Sequence, residues 1–474
     1  MKLPLTGGFY VAQSLLASAQ RCVNLYPETN PSESTFPFTH YQTPGSLKLG
    51  APPAAGSGRC IYRASNGALY AVVAQNVYAI SSAWVYTLLG SISSPPNPCY
   101  IADNGVDALL VDGTPNGYMW DLATDTFAPF VDPNFYGADR VDYASLRFVL
   151  NKPGTPIFYY SEPTSLVFDP LDFAAKSGSP DPLISIIASL DQVWLLGELT
   201  TEVFYNAGAT DAIFERQPGS FMEHGCGAKY SVAKADVWTF WLGQDRQGTH
   251  IVYRGEGYQA RRISTSAIEN VLAGYSTVAD AVGFTYQQNG HLFYILVFPT
   301  ANATWVFDCA TNLWHERAWT DPDDGTLNRI RANGVAFAYD KNITIDWENG
   351  AIYELRLDLF VDDASPITRV RSWANVVEEG KRVLYRQFTA WIDAGTIMQP
   401  GEDPLIGLRW SDDGGNTWGN TVLQSIGKTG TYNTTPNWSR LGYGRNRVFE
   451  LSWSINAKAA LQGAFVEVSG VSKT

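Results

Sequence analysis

Ser411, Asp412, Asp413, Gly414, Gly415, Asn416, Thr417 and Trp418 follow the S-x-D-x-G-x-T-W spacing of an Asp box. Such boxes occur in sialidase propellers and in many proteins without enzymatic activity. Their chemistry is local: the carboxylate caps turn amides, a glycine takes a positive φ, and the tryptophan packs beneath. A single copy reads as a turn staple. Glycoside hydrolysis needs two carboxylates facing one cleft, an acid and a base or nucleophile. Glu198, Glu202, Glu223 and Asp245 are among the acids available, but sequence spacing brings no two of them together. The histidines are His40, His224, His250, His291 and His315. Glu223 and His224 lie near Cys226, a grouping with nucleophilic or metal-binding character, yet no H-E-x-x-H, H-x-H or G-x-S-x-G pattern accompanies it. His291 and His315 read as hydrogen-bonded structural side chains. There is no phosphate-cradling loop and no dinucleotide fingerprint. Basic residues cluster weakly at residues 254–262, 369–371 and 440–447, and Arg445 and Arg447 beside Tyr443 and Trp438 offer a stacking surface. Solvation or salt bridges between subunits are the simpler reading of these clusters. No catalytic, cofactor-binding or metal-ligating residue is assigned, and no cofactor is expected.

The bulk numbers point the same way. The chain has 474 residues with a formal net charge of −13. An acidic chain does not grip phosphate through counterion release, so a DNA partner is expected to pass by without specific binding. Cys22, Cys60, Cys99, Cys226 and Cys309 are scattered, with no zinc-ligand spacing, and read as reduced thiols of a protein assembled in the cytoplasm. The first twenty residues lack the pattern of a signal peptide, and no apolar run approaches the length of a membrane span, so no stable membrane insertion is expected.

Helix signals are scarce: residues 264–272, with Ile268 and Leu272 one turn apart, and residues 12–20. Short alternating or continuous apolar runs are everywhere, among them 68–80, 193–196, 237–242 and 292–298. Each is bounded by Gly, Pro, Asn, Asp or Ser. The aromatic content of 13%, with 42 Gly and 26 Pro, fits short strands joined by tight turns. The runs recur with a period of about 40–50 residues, in the range of propeller blades. Local units repeat as well. Residues 116–127 and 302–314 each end a strand on Asp, cross a Thr-Asp or Thr-Asn turn and resume on an aromatic. Asn66-Gly67 and Asn349-Gly350 each open an aromatic strand with a positive-φ turn. A four-stranded sheet cannot cover its own faces, whereas radially stacked blades cover one another. The expected fold class is all-β: an extended N-terminal segment over residues 1–56, a β-propeller of six or seven blades over 57–362, and a β-sandwich-like domain over 363–474. Longer alternating runs at 383–392, 406–410, 448–454 and 465–468 carry the last of these.

A series of segments in one order resembles the podovirus tail hub or nozzle proteins, the packaged-DNA stabilisation family. They include Phe135-Tyr-Gly-Ala-Asp-Arg-Val141, Phe148-Val-Leu-Asn-Lys-Pro-Gly-Thr155, Gly178-Ser-Pro-Asp181 and Leu195-Leu-Gly-Glu-Leu-Thr-Thr-Glu-Val-Phe-Tyr-Asn206. Phe214-Glu-Arg-Gln-Pro-Gly-Ser-Phe-Met-Glu-His-Gly-Cys226 and Leu313-Trp-His-Glu-Arg317 extend the series, and Asn24-Leu-Tyr-Pro-Glu28 precedes it. The resemblance implies a non-enzymatic virion protein of a short bacteriophage tail. It implies a homo-hexameric ring below the portal and its adaptor, holding a tail needle or plug, seating fibres or spikes, and retaining packaged DNA until ejection. The competing expectations are a sialidase-like glycosidase and a glycan-binding propeller acting on host surface sugars.

Overall fold

The computed structural model describes residues 1–93, 97–209, 213–245, 247–377, 381–393, 403–428, 430 and 435–472. Antiparallel sheets dominate, and the blades follow one another along the chain at residues 58–91, 100–130, 141–175, 183–216, 225–262, 282–316 and 332–356. That makes seven blades among the described residues. The first strand of each lies innermost: Ala332–Ala338 of the last blade packs against Gly58–Arg63 of the first, which closes the circle. Asn333 Nδ2 donates to Gly58 O across that seam at 2.9 Å. The second and third strands alternate or run continuously apolar because both faces of a blade are covered by its neighbours. His291–Phe298 is buried along its whole length.

The last blade supplies only three strands of its own. Its fourth is Gly45–Gly50, paired antiparallel with Ile352–Arg356. Chain ends about three hundred residues apart therefore meet in one sheet, which locks the ring as blades alone cannot. Gly45 is required there by close approach: a Cβ at this position would lie 2.4 Å from Val361 O and 2.7 Å from Leu359 O.

The remainder of the N-terminal segment belongs to a two-sheet sandwich. Leu25–Thr29 and Phe38–Gln42 extend the sheet formed by Asn437–Gly444, Arg382–Asp393 and Ala460–Ser472, and Lys2–Pro4 pairs with the last of these. The other sheet orders Arg369–Ser372, Asn446–Trp453, Leu405–Ser411 and Val422–Ser425. Cys22–Val23 joins that sheet to the propeller, pairing parallel with Glu316 of the sixth blade and antiparallel with Val370 and Arg371. One hydrophobic cluster runs from Phe240, Tyr294 and Trp314 of the propeller to Trp373, Phe388 and Phe449 of the sandwich.

Of the two helix expectations, the first is met by Ser266–Ala273, capped by Thr265 Oγ1, which accepts from Ile268 N, and anchored by buried Ile268 and Leu272. The second is corrected. Residues 12–18 form the turn of a small hairpin, Tyr10–Val11 with Ala19–Gln20, closed by Ala12 N donating to Ser18 O at 2.9 Å. Strand pairing and docking on the sandwich override local helix propensity there. The Asn-Gly repeats are also not equivalent. Asn66-Gly67 joins the first two strands of its blade, whereas Asn349-Gly350 joins the second and third of its own. They share turn chemistry, with Gly67 at φ 89° and Gly350 at φ 72°, and not blade position.

Candidate functional site

The propeller axis is crossed by side chains. Arg140 of the third blade donates from Nη1 to Val232 O of the fifth at 2.7 Å, and its guanidinium lies 4.4 Å from the Tyr100 ring of the second. Tyr100 and Tyr230 stack with centroids 6.4 Å apart. Lys229 pairs with Asp139 at 2.8 Å, and Lys234 reaches both Asp142 and Ala188 O, joining the third, fourth and fifth blades. Burial pushes the Tyr100 hydroxyl up to about 12. A DNA duplex, whose major groove alone is about 12 Å wide, finds no passage through an axis bridged at these distances.

The sequence-nominated acids disperse. Glu202 is fully buried and accepts the amides of Ser177, Gly178 and Ser179 at 3.1–3.3 Å, with Arg216 at 3.7 Å. Beside it Asp181 receives Lys176 Nζ at 2.7 Å and the amides of Leu199 and Thr200. Despite the opposing effect of burial, these bonds hold the Asp181 carboxyl down at about 2, while burial lowers the Lys176 ammonium. This knot ties the third blade to the fourth. Lys176 carries no motif signal, and only its burial reveals it. Glu198 and Glu223 are exposed, and Asp245 accepts Gln247 N and Thr249 N in a turn. No two of these four form an acid–base pair across a cleft.

The Asp box is a turn staple. Asp413 accepts Thr417 N at 2.9 Å and Thr417 Oγ1 at 2.6 Å, Gly415 N donates to Ser411 Oγ at 2.8 Å, and Gly414 sits at φ 76°. The hydrogen bond from Ser411 Oγ at 2.6 Å, followed by those from Thr417, holds the exposed Asp413 carboxyl far below its usual range. Trp418 lies under the Arg409 guanidinium, 4.7 Å from its ring centroid.

His291 bonds Asp308 at 2.9 Å, and that bond raises its pKa. His40 and His315 are fully buried, and burial drives both well below the usual imidazole range. His224 stacks on Tyr253 with centroids 4.7 Å apart. Among the described residues no group of three His, Cys, Asp or Glu is placed to hold a metal ion. Burial pushes the thiols of Cys22 and Cys226 up to about 11 and those of Cys60 and Cys309 to about 12, and it raises Cys99 as well, which suppresses thiolate reactivity.

The basic clusters divide: Arg261, Arg262, Arg440 and Arg445 are exposed as expected, whereas burial of the others corrects the surface reading. Arg369, Arg371 and Arg447 are fully buried. Arg371 donates to Gly7 O at 2.6 Å, Arg21 O at 2.9 Å and Ser372 O at 3.0 Å, and its Nε reaches His40 Nε2 at 3.2 Å. Arg369 serves Ile367 O, Phe360 O and Ile455 O. Arg447 makes a forked pair with Asp412 at 2.6 and 2.8 Å and packs over Tyr385. These arginines gather the chain's N-terminal segment, the interdomain linker and the sandwich into one clasp. Beside it lies a cavity of about 240 Å³ lined by Asn24, Ser46, Arg317, Trp319, Arg331 and Asp362. Burial lifts the Asp362 carboxyl to about 6 against the pull of Ser46, Arg369 and Arg317.

The two structural units match two family profiles in the same order. One, described as bacteriophage P22 Gp10, beta-propeller, matches residues 1–359, and the other, bacteriophage P22 Gp10, beta-sandwich, matches residues 369–469. The chain belongs to the bacteriophage P22 Gp10 family. The Gp10 family is one of podovirus tail hub or nozzle proteins, so the chain is a structural protein of a phage tail and a component of the virion. The propeller profile includes the N-terminal strands, in keeping with Gly45–Gly50 completing the last Gp10 blade. No curated protein sequence matches. Among solved structures, the β-propeller domain of Myceliophteria thermophila Cps50 (Swd1) aligns at 9% identity and a TM-score of 0.41, covering 66% of this chain and 99% of that one. The N-terminal domain of Nup159 aligns at 9% identity and a TM-score of 0.42, covering 72% of this chain and 99% of that one.

Proposed function

We propose that this Gp10-family protein forms a homo-hexameric ring that closes the head–tail channel, retains packaged DNA and conducts it on ejection. The observation that carries this reading is the bridged propeller axis, joined to family membership. A tail-hub subunit whose own axis is crossed by Arg140 and Lys234 leaves the DNA path to be enclosed between copies. Each copy brings a net charge of −13 to the ring, which disfavours adhesion of a passing duplex. The role is geometric and involves no bond-making: Glu202 and Asp245 are spent on an interblade tie and a turn, and no two of the four nominated acids face one another across a cleft. The portal adaptor sits above, the needle or plug and the fibres or spikes sit around or below, and assembly takes place in the host cytoplasm. The test is the mass of the purified protein by light scattering, together with its copy number in intact particles. About six copies in either setting supports the ring, and a monomer absent from particles overturns it.

A further inference from the structure

The hairpin joining the first and second strands of every blade projects from one face of the propeller, and the blades tip it differently. The first and sixth blades use Asn66-Gly67 and Asn289-Gly290, the residues a positive-φ turn prefers. The second blade has Asn104-Gly105 too but follows it with Val106 (60% exposed), and the third to fifth blades carry exposed aliphatic side chains in place of the pair: Leu146 (59%), Leu190 (69%) and Val237 (49%). Leu146 and Leu190 stand at φ 64° and 50°, a conformation costly for a branched side chain. In a single copy these leucines combine backbone strain with apolar exposure. The tips are neighbours. Ser145 N donates to Asp191 Oδ1, and Thr164 N to Leu146 O, each at 2.6 Å. Exposed Glu162, Asp191 and Asp236 make the arc acidic.

A second face is net basic, its exposed Arg382 and Arg386 outnumbering Glu467, which lies opposite Gln387. On the outer side of the sandwich sheet, Arg382 lies 5.3 Å from the ring centroid of Tyr443 (49% exposed), with Arg386 two positions beyond the cross-strand pair Leu384–Tyr443 and Trp391 (43%) further along the strand. Arginine, tyrosine and tryptophan are the residues enriched at the centres of protein interfaces. A closed ring of more than two copies needs two different, mutually complementary patches on each chain. These two patches differ in place, are opposite in charge and both expose apolar side chains.

We propose that the acidic, aliphatic-tipped hairpin face of one propeller docks on the Arg382–Tyr443 face of the sandwich in the next copy, so that the occupant of the arc is a second copy of this chain. The proposal rests on the ring reading and specifies its contact. The experiment supplies full-length variants by complementation and counts copies per phage particle, with the thermal midpoint of each purified chain as a folding control. L146G/L190N restores the residues a positive-φ turn prefers, so the midpoint should hold or rise while incorporation falls about tenfold, as expected when an interface loses about 1.4 kcal/mol. R382E/R386E should lower incorporation similarly, and adding E162K/D236K to it should restore incorporation at least in part. Wild-type copy number near six with both reduced variants at wild-type level, or with no recovery in the combined chain, overturns this contact and leaves the ring standing. A wild-type count far from six removes the ring reading itself.

Discussion

The knot between the third and fourth blades and the Arg369–Arg371 part of the clasp between propeller and sandwich both bury charge, and they satisfy it by different means. In the knot, Lys176 meets a carboxylate, Asp181, within hydrogen-bond distance, and both also bond to Thr200. In the clasp, Arg369 and Arg371 are met by backbone carbonyls contributed by chain segments far apart in sequence. A lysine–aspartate pair is a local tie between successive blades. A guanidinium with five fixed donors can collect several carbonyls at once, which suits a point where the N-terminal segment, the linker and the sandwich converge. Successive blades are thus tied by neighbour contacts, while closure of the ring by Gly45–Gly50 and attachment of the sandwich both depend on long-range contacts that form only when the whole chain is in place.

The largest effect should follow from breaking the clasp. R371M removes the donor from the buried carbonyl of Ser372 and the part-buried carbonyl of Arg21 and leaves Gly7 O with its contact to His40 Nε2, and should destabilise the chain by about 5 kcal/mol. Urea unfolding followed by tryptophan fluorescence reads this, and the sandwich and the closing strand Gly45–Gly50 should be lost together. K176M in the knot leaves Asp181 without its counter-charge and should remove about 3 kcal/mol. Hydrogen exchange should then localise the loosening to the third and fourth blades, with the sandwich protected.

The two regions should also part under pH. The Asp181 carboxyl is held at about 2, below its usual range, so its stabilisation is present above the usual carboxylate pKa and is lost as pH falls toward 2. Asp362 beside the clasp is raised to about 6. Its contribution is therefore complete below the usual carboxylate pKa and is lost as pH rises through about 6. The thermal midpoint of wild type relative to D362N should fall as pH rises from 4 through about 6 and level off above, a difference that isolates Asp362 from the opposite pH dependence of buried His40 and His315 and that K176M leaves in place. The smallest effect should come from D413N in the exposed Asp box: a slight lowering of the thermal midpoint with the oligomeric state unchanged, measured by calorimetry and light scattering.

Much of the fold was legible because a blade's strands are short, apolar and bounded by turn residues, as in residues 68–80 and 292–298. Ser266–Ala273 was legible from the one-turn spacing of Ile268 and Leu272. The strand Gly45–Gly50 carries little apolar pattern, since three of its six residues are Gly or Lys, and its partner is fixed by tertiary closure alone. The Asp box was read correctly as a staple because its hydrogen bonds are all local. The buried arginines were misread as solvated because a charge in sequence carries no mark of what surrounds it. Lys176 and Arg140 escaped notice for the same reason, their partners lying on other strands. The exposed leucines of the hairpin tips were likewise hidden, because Ser145-Leu146 and Leu190-Asp191 do not spell a turn.

The most direct test of the account is an electron-microscopic reconstruction of DNA-filled tails at a resolution that separates the blades. The account predicts six copies around one central DNA density, each propeller with its own axis closed at Arg140, Tyr100 and Lys234. DNA density threading the axis of a single propeller, or a single copy of the chain at the tail axis, would contradict it.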